Sequence, residues 1–158
     1  MKISDILNEK TIVTPLKGKN RSEVIHELLN HLVDLNYLNA SMKLFSFIDN
    51  NELINNSVVG KGIAFPHSTS IEIDELVCIL GISEEGIIYN QEDVHPCHII
   101  LLSLAPKGNP NIHRKFISKF RLLISDIRLK DQIINAKSSI TIKNLLTNWD
   151  EKEMEDNF

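Results

Sequence analysis

Short apolar runs set between amphipathic segments constrain the fold of this chain most strongly. Residues 76–82 and 98–104 are rich in Ile, Leu and Val, and runs of this length and composition are typical of strands that are buried on both faces. Apolar residues at helical spacing precede and follow these runs. Helices and buried strands mixed in this way predict an α/β domain built in layers.

The predicted helices have recognisable starts. Asn20 and Glu23 have the spacing of a capping box, which predicts that the first long helix begins there. Ser41 is expected to cap a second, shorter helix. Near the end of the chain, Ser138 or Ser139 is expected to cap the last helix.

The remaining segments complete the predicted organisation. Residues 86–89 could form an outer strand between the two buried ones, and residues 106–110 form a loop that contains Pro and Gly. A long helix follows this loop, with apolar positions from 116 to 127. We expect a single domain over residues 1–150 and an acidic, disordered tail over residues 151–158.

Composition and charge exclude several classes of function. The formal net charge of −4 argues against a surface for nucleic acid or anionic membrane, because both need concentrated Lys and Arg. No apolar run, including residues 99–102, approaches the length of a membrane span, and the first ten residues lack the apolar region of a secretory signal. Cys78 and Cys97 have no metal-motif or redox-motif spacing, so both should be reduced. We expect a cytoplasmic protein without direct membrane insertion and without a cofactor.

After the second helix we expect a Gly-rich loop that ends at Pro66 and His67, and its segment GKGIAFPHST, which begins at Gly60, differs from the patterns around it. Pro66 has a fixed φ and restricts Phe65 to an extended backbone, so His67 follows a stiffened stretch. Gly60 and Gly62 allow another backbone or an anion to approach closely. An imidazole aimed in this way suits a nucleophile, because one ring nitrogen can attack while a hydrogen bond holds the other as N–H. The alternative is a surface-loop histidine whose glycines serve only the turn.

A second histidine lies where the predicted loop turns into the long helix. His113 is expected to have helix-terminal N–H groups nearby. With Lys107 and Arg114 close in sequence, its imidazole could help to bind an anion. The alternative is a polar residue at a helix start with no further role.

A metal site is a weaker hypothesis. His95, Cys97 and His98 could be combined with His67 and His113 into a zinc site. The spacing H-P-C-H fits no standard zinc finger, and Pro96 is more typical of a turn that enters a strand. We therefore predict no metal.

The two histidine segments resemble a known family. VVGKGIAFPHST is similar to the active-site loop of enzyme IIA domains of the bacterial phosphotransferase system, in the fructose–mannitol and nitrogen-regulatory class, where the loop is commonly Gly-x-Gly-Ile-Ala-Ile-Pro-His. Downstream, HIILLSLAPKGNPNIHRKFISKF resembles the strand, Ala-Pro loop and helix of that family, and His113 falls on its second active-site histidine. Phe65 replaces an aliphatic residue of the loop. The residues that match the loop are Gly60, Gly62, Ile63, Ala64, Pro66 and His67.

The resemblance implies a three-layer α/β/α fold with a mixed central sheet flanked by helices. It also implies that His67 accepts a phosphoryl group from phospho-HPr or its nitrogen-branch counterpart, with His113 in support. The group would then pass to a IIB domain or act as a regulatory signal to a target protein. Positioning and charge stabilisation would do most of the chemical work. The implied phosphate loop consists of Ser57, Gly60, Lys61, Gly62 and Pro66, with Lys107 and Arg114 as possible charge compensation.

Two positions depart from the family pattern. The family usually carries an arginine beside a glutamate before the loop, and this chain has Asn51 beside Glu52. Asparagine cannot hold a phosphate with the two parallel donors of a guanidinium. The Ser-Thr-Gly lead-in is also altered, although Ser57 keeps a hydroxyl.

Three functions are compatible with the sequence. The chain could carry phosphate for sugar uptake, act as a nitrogen-class regulatory protein, or be a non-catalytic IIA-like binding module that has lost efficient phosphotransfer. Because the sequence has no fused IIB or membrane domain, the nitrogen-regulatory type is slightly favoured over sugar uptake.

Overall fold

The computed structural model describes residues 1–60 and 62–156 of the chain. The helices are α1 (Ile3–Ile6), α2 (Arg21–Asp34), α3 (Met42–Ile54), α4 (Ile112–Ile124), α5 (Ile127–Asn135) and α6 (Ser139–Asp156). The strands are β1 (Ile12–Val13), β2 (Val58–Val59), β3 (Ile63–Ala64), β4 (His67–Ser70), β5 (Val77–Ile87) and β6 (Cys97–Pro106). No helix in the described part of the chain is long and apolar enough to cross a membrane.

The strands form one mixed sheet. Its order is β1-β5-β6-β3-β2, with β4 also paired to β6. The central strands β5 and β6 are antiparallel to each other, whereas β1 is parallel to β5, and β3 and β4 are parallel to β6. The two apolar runs predicted as buried strands are therefore the two strands at the centre of the sheet.

Helices cover both faces of the sheet. Alternate residues of a strand point to opposite faces, so Leu80 and Leu101 pack with α1, α4, α5 and α6. Ile79 and Leu102 pack on the other side, against α2 and α3. The expected three-layer α/β/α fold with a mixed central sheet is confirmed.

The segment that contains His67 is a strand interrupted by a proline. Ile63 lies opposite Ile99, and His67 lies opposite Ser103, so β3 and β4 keep the same register along β6. Pro66 has no N–H to donate to the ladder, but its carbonyl oxygen accepts from the Ser103 N–H at 3.1 Å. The predicted loop is wrong for residues 63, 64 and 67, which lie in β3 and β4. The strand register puts His67 on the sheet face that α4 covers.

Three further segments differ from what the sequence predicts. Residues 86 and 87 continue β5 beyond an irregularity that follows Ile82, so they are not a separate outer strand. The predicted long helix ends at Ile124, because Asp126 caps a new helix, α5, with its carboxylate. Residues 151–156 continue α6, whereas the sequence predicts disorder there.

The predicted helix caps have mixed outcomes. Asn20 caps α2 as predicted, accepting from the Glu23 N–H at 2.9 Å. Ser41 precedes α3, but its hydroxyl donates to the Asn30 side chain and makes no capping bond. Ser138, one of the two candidates for the last helix, accepts from the Thr141 N–H at 3.2 Å.

Candidate functional site

His67 is the first residue of β4 and is half-buried. Its Nδ1 lies 3.1 Å from the carbonyl oxygen of Phe65. Because a carbonyl can only accept a hydrogen bond, Nδ1 carries the proton in this contact. The neutral ring therefore has its lone pair on Nε2, as an attacking nitrogen requires.

His113 is the second residue of α4 and has the same type of contact. Its Nδ1 donates to the Pro110 carbonyl oxygen at 2.8 Å, so its Nε2 is also left with a lone pair when the ring is neutral. The start of α4 at Ile112 puts helix-terminal N–H groups beside it, as the sequence predicts. A main-chain carbonyl therefore holds each imidazole with the proton on Nδ1 and, in the neutral ring, the lone pair on Nε2.

The two imidazoles stack on each other. Their ring centroids are 4.5 Å apart and the ring planes differ by 19°. Burial lowers the pKa of His113, and the neighbouring His67 and Arg114 lower it further, while the hydrogen bond to Pro110 opposes them. His113 is therefore disposed to stay neutral before any anion is bound.

The backbone conformation and its contacts explain why glycine occupies positions 60 and 62. Gly62 has a φ of +82°, and a Cβ added there would lie 2.4 Å from the carbonyl oxygen of Pro96. The Gly62 carbonyl also accepts from the N–H groups of His98 and Ile99 at 2.8 and 3.2 Å. Gly60 has a φ of +57° with nothing within 4 Å of an added Cβ. Close approach of another backbone therefore requires glycine at position 62, whereas the left-handed turn alone favours it at position 60.

A buried carboxylate lies behind the loop. Glu52, in the last turn of α3, is 2% exposed, and its Oε2 accepts from the Ser57 N–H at 3.1 Å and the Ser57 hydroxyl at 2.9 Å. The Ser57 oxygen in turn accepts from the Phe65 N–H at 3.0 Å. Burial raises the pKa of Tyr89 far above its ordinary value, and the nearby Glu52 carboxylate raises it further.

No role for Glu52 is predicted from the sequence, although the sequence carries a signal of its burial. Glu52 follows the buried Ile48 by four residues, so it lies on the apolar stripe of its own helix. A charged residue at such a position is buried only with partners. Its partners here are the two donor groups of Ser57.

The three cations expected near the site are Lys61, Lys107 and Arg114. Lys107 and Arg114 are both exposed, and the charge of Arg114 acts on His113. Lys61 lies outside the described residues. Asn51 is partly exposed in the last turn of α3, where its side-chain oxygen accepts from the Asn55 amide at 3.2 Å. An asparagine therefore stands where the family resemblance leads one to expect a guanidinium.

Two of the residues considered for a metal site, Cys97 and His98, are buried or hydrogen-bonded within the protein. His98 Nδ1 lies 2.9 Å from the Ser83 carbonyl oxygen. Cys97 is buried, and this burial raises the pKa of its thiol to about 12. Within residues 1–60 and 62–156, no three or more His, Cys, Asp or Glu side chains are grouped so that they could hold a metal ion.

Comparisons with known proteins agree with this geometry. The sequence model of the family described as "Phosphoenolpyruvate-dependent sugar phosphotransferase system, EIIA 2" matches residues 5–149. The chain is 27% identical over 150 residues to the fructose-specific EIIABC component of Bacillus subtilis, covering 95% of this chain but only 24% of that protein. It is 22% identical over 146 residues to the nitrogen regulatory protein of Bradyrhizobium diazoefficiens, covering 92% of this chain and 95% of the relative.

Solved structures share the fold. The nitrogen regulatory protein IIA-Ntr from Neisseria meningitidis superposes with a TM-score of 0.79 at 19% identity, covering 91% of this chain and 98% of that one. IIA mannitol from Escherichia coli gives a TM-score of 0.74 at 18% identity, covering 89% and 98%. A further neighbour is the complex of the E. coli mannitol IIA enzyme with its phosphorylated IIB enzyme, with a TM-score of 0.74 at 17% identity, covering 90% and 97%.

Proposed function

Because this chain belongs to the phosphotransferase-system EIIA 2 family, we propose that it is a phosphocarrier or regulatory protein that accepts a phosphoryl group on His67. The observation that carries the proposal is the stacked pair of His67 and His113, with each Nδ1 on a main-chain carbonyl. A nucleophilic imidazole needs a free lone pair on one ring nitrogen, and the contact of Nδ1 with a carbonyl leaves that lone pair on Nε2.

The proposed transfer is a single displacement. The lone pair of His67 Nε2 forms a bond to the phosphorus of a phosphohistidine on an HPr-like carrier, while the donor's N–P bond breaks and its electron pair stays on the donor imidazole. Little covalent chemistry is required of the protein, so rate depends on alignment and on stabilisation of the phosphoryl oxygens. In a second displacement, a nucleophile of a IIB domain bonds to phosphorus while the Nε2–P bond breaks and its electron pair returns to His67; alternatively, His67 retains the group as a regulatory signal.

His113 has a supporting role in this proposal. A phosphoryl group on His67 brings negative charge next to the stacked ring of His113, and an opposite charge at this distance favours protonated imidazole. The pKa of His113, lowered before transfer, is then expected to rise. A protonated His113 Nε2 can donate a hydrogen bond to a phosphoryl oxygen, which stabilises the phosphorylated state.

The test is incorporation of phosphate from phosphoenolpyruvate in the presence of enzyme I and a cognate HPr-like carrier. We expect an acid-labile, base-stable adduct on the wild-type chain and none on His67→Ala. His26→Ala is a matched control, because His26 is exposed and lies in α2, which packs on the face of the sheet opposite α4. Wild-type levels of phosphate on His67→Ala would refute the assignment.

A second candidate function is a binding module without efficient phosphotransfer. The position at which the family usually has arginine is occupied by Asn51, whose side-chain oxygen is bonded to Asn55. If the wild-type chain takes no phosphate from any cognate carrier while remaining folded, this second function is favoured. The choice between sugar uptake and nitrogen-type regulation depends on which acceptor the phosphorylated chain binds, since the relatives include both types.

A further inference from the structure

Four hydrogen bonds join the buried carboxylate of Glu52 to the imidazole of His67. Glu52 accepts from both donor groups of Ser57, the Ser57 oxygen accepts from the Phe65 N–H, and the Phe65 carbonyl accepts from His67 Nδ1. The lengths of these bonds lie between 2.9 and 3.1 Å. The chain of contacts runs from α3, through the lead-in and the interrupted strand, to the reacting ring.

The Glu52 carboxylate decides how the Ser57 hydroxyl is used. A hydroxyl has one proton to donate and lone pairs with which to accept. Because Ser57 donates that proton to Glu52, only its lone pairs face the Phe65 N–H. Without the carboxylate the hydroxyl could rotate, and the Phe65 N–H would lose an acceptor of fixed direction.

Phe65 connects Ser57 to the His67 imidazole through its main-chain N–H and carbonyl groups. Its side chain is 4% exposed and packs edge-on against Phe120, with ring centroids 6.2 Å apart. Its N–H is held by Ser57, and the next residue, Pro66, has restricted backbone freedom. The direction of the Phe65 carbonyl is therefore set from both sides, and that carbonyl is the group that holds the proton on His67 Nδ1.

We propose that Glu52 is a positioning residue for His67, acting through the Ser57 hydroxyl and the Phe65 main chain to keep the imidazole in the Nδ1–H tautomer. It does not touch the transferred group. The consequence for rate rests on the proposed phosphoryl transfer, whereas the tautomer itself can be measured without any phosphate. This separation lets the two proposals fail independently.

The tautomer is read from ¹H–¹⁵N correlation spectra of protein labelled at histidine nitrogens. Spectra are recorded at a pH about two units above the ordinary histidine pKa of about 6.5, so that only neutral rings are present. In the wild type we expect His67 to be almost entirely Nδ1–H. In Glu52→Gln and Ser57→Ala we expect a mixture with the Nε2–H form, because the Phe65 carbonyl is then less firmly directed.

The rate of phosphorylation gives the second measurement. We expect Glu52→Gln and Ser57→Ala each to be slower than wild type by about tenfold, equivalent to about 1.4 kcal/mol. Since both substitutions break one chain of contacts, the double variant should be scarcely slower than either single variant. Ser57→Thr retains a hydroxyl and should restore both the tautomer and the rate.

Asp49→Asn is the matched control on the same helix. Asp49 is a partly buried carboxylate of α3 that accepts from the Ser22 hydroxyl and pairs with Arg21 at 3.1 Å. It is part of no contact in the chain that leads to His67, so its loss should change stability and leave the His67 tautomer unaltered. A general loosening of α3 would affect both variants alike, which would count against the proposal.

One result would overturn the proposal outright. If His67 remains almost entirely Nδ1–H in folded Glu52→Gln and in folded Ser57→Ala, Glu52 does not position it, whether or not the chain accepts phosphate. Should Glu52→Gln fail to fold, Ser57→Ala alone decides, because it removes the same link without removing the carboxylate. If the wild-type chain takes no phosphate while the two variants show the expected tautomer shift, only the proposed transfer is contradicted.

Discussion

Gly62→Ala probes how tightly the segment before His67 is packed. Gly62 has a φ of +82°, and an added Cβ would lie 2.4 Å from the carbonyl oxygen of Pro96. The left-handed backbone costs an L-residue about 1–2 kcal/mol, and forcing a methyl group into occupied space costs about 1–3 kcal/mol more. We therefore expect the free energy of unfolding to fall by about 2–5 kcal/mol.

Gly60→Ala supplies the comparison. Gly60 has a φ of +57°, but nothing lies within 4 Å of a Cβ added there. Only the backbone term then applies, and the free energy of unfolding should fall by about 1–2 kcal/mol. Urea denaturation followed by far-UV circular dichroism measures both losses as shifts of the midpoint at unchanged slope. Equal losses for the two variants would refute the argument that contact with Pro96 requires glycine at position 62.

Further expectations concern the site and the buried thiols. His113→Ala should accept phosphate slowly or release it poorly in the phosphorylation assay while remaining folded, and phosphate mapped to His113 by mass spectrometry would reverse its role with that of His67. Asn51→Arg should raise the transfer rate by roughly ten- to a hundredfold, because a hydrogen bond to a charged group is worth about 1.5–3 kcal/mol; an unchanged, already fast rate would show that another cation acts there. The lowered pKa of His113 means that the folded chain binds fewer protons there than the unfolded chain, so stability should fall as pH falls from about 6.5 towards the lowered value. His113→Gln should flatten that slope in pH-dependent urea denaturation, and a slope as steep as that of the wild type would contradict the assignment. Native Cys97 should resist a thiol reagent at neutral pH, since burial raises its pKa to about 12, and rapid modification without unfolding would contradict its burial.

The sequence predicted the elements whose signals are periodic and local. The start of α2 was predicted at Asn20 because an asparagine followed three residues later by a glutamate satisfies helix-end donors by itself. The strands β5 and β6 were predicted because strands covered on both faces must be continuously apolar. These signals lie within one segment of the sequence and depend little on contacts with residues far away in the chain.

The strand that bears His67 was missed for a physical reason. Glycine, proline and polar residues are signals of a turn, and Gly62, Pro66 and Ser68 supply them. The register along β6 nevertheless continues through Pro66, because the Ser103 N–H of the neighbouring strand donates a hydrogen bond to the Pro66 carbonyl oxygen. Such a partner is distant in sequence, so no local pattern shows it.

The site was predicted in part for the same reasons. The Pro-His placement, the loop–helix junction and the family resemblance of both segments indicated His67 and His113, and the fold places their rings in contact. The carbonyls of Phe65 and Pro110, which set the tautomers, carry no sequence signal because every residue has a carbonyl. The role of Glu52 depends on the path of the backbone between α3 and β3, and only the folded chain specifies that path.

The central claim is that His67 accepts a phosphoryl group at Nε2. The most direct measurement is a ³¹P and ¹⁵N correlation spectrum of histidine-labelled chain after incubation with phosphoenolpyruvate, enzyme I and the cognate carrier. We predict one phosphorus signal coupled to Nε2 of His67, because Nδ1 carries the proton that bonds to the Phe65 carbonyl. A phosphorus coupled to Nδ1 of His67, or to either nitrogen of His113, would contradict the account.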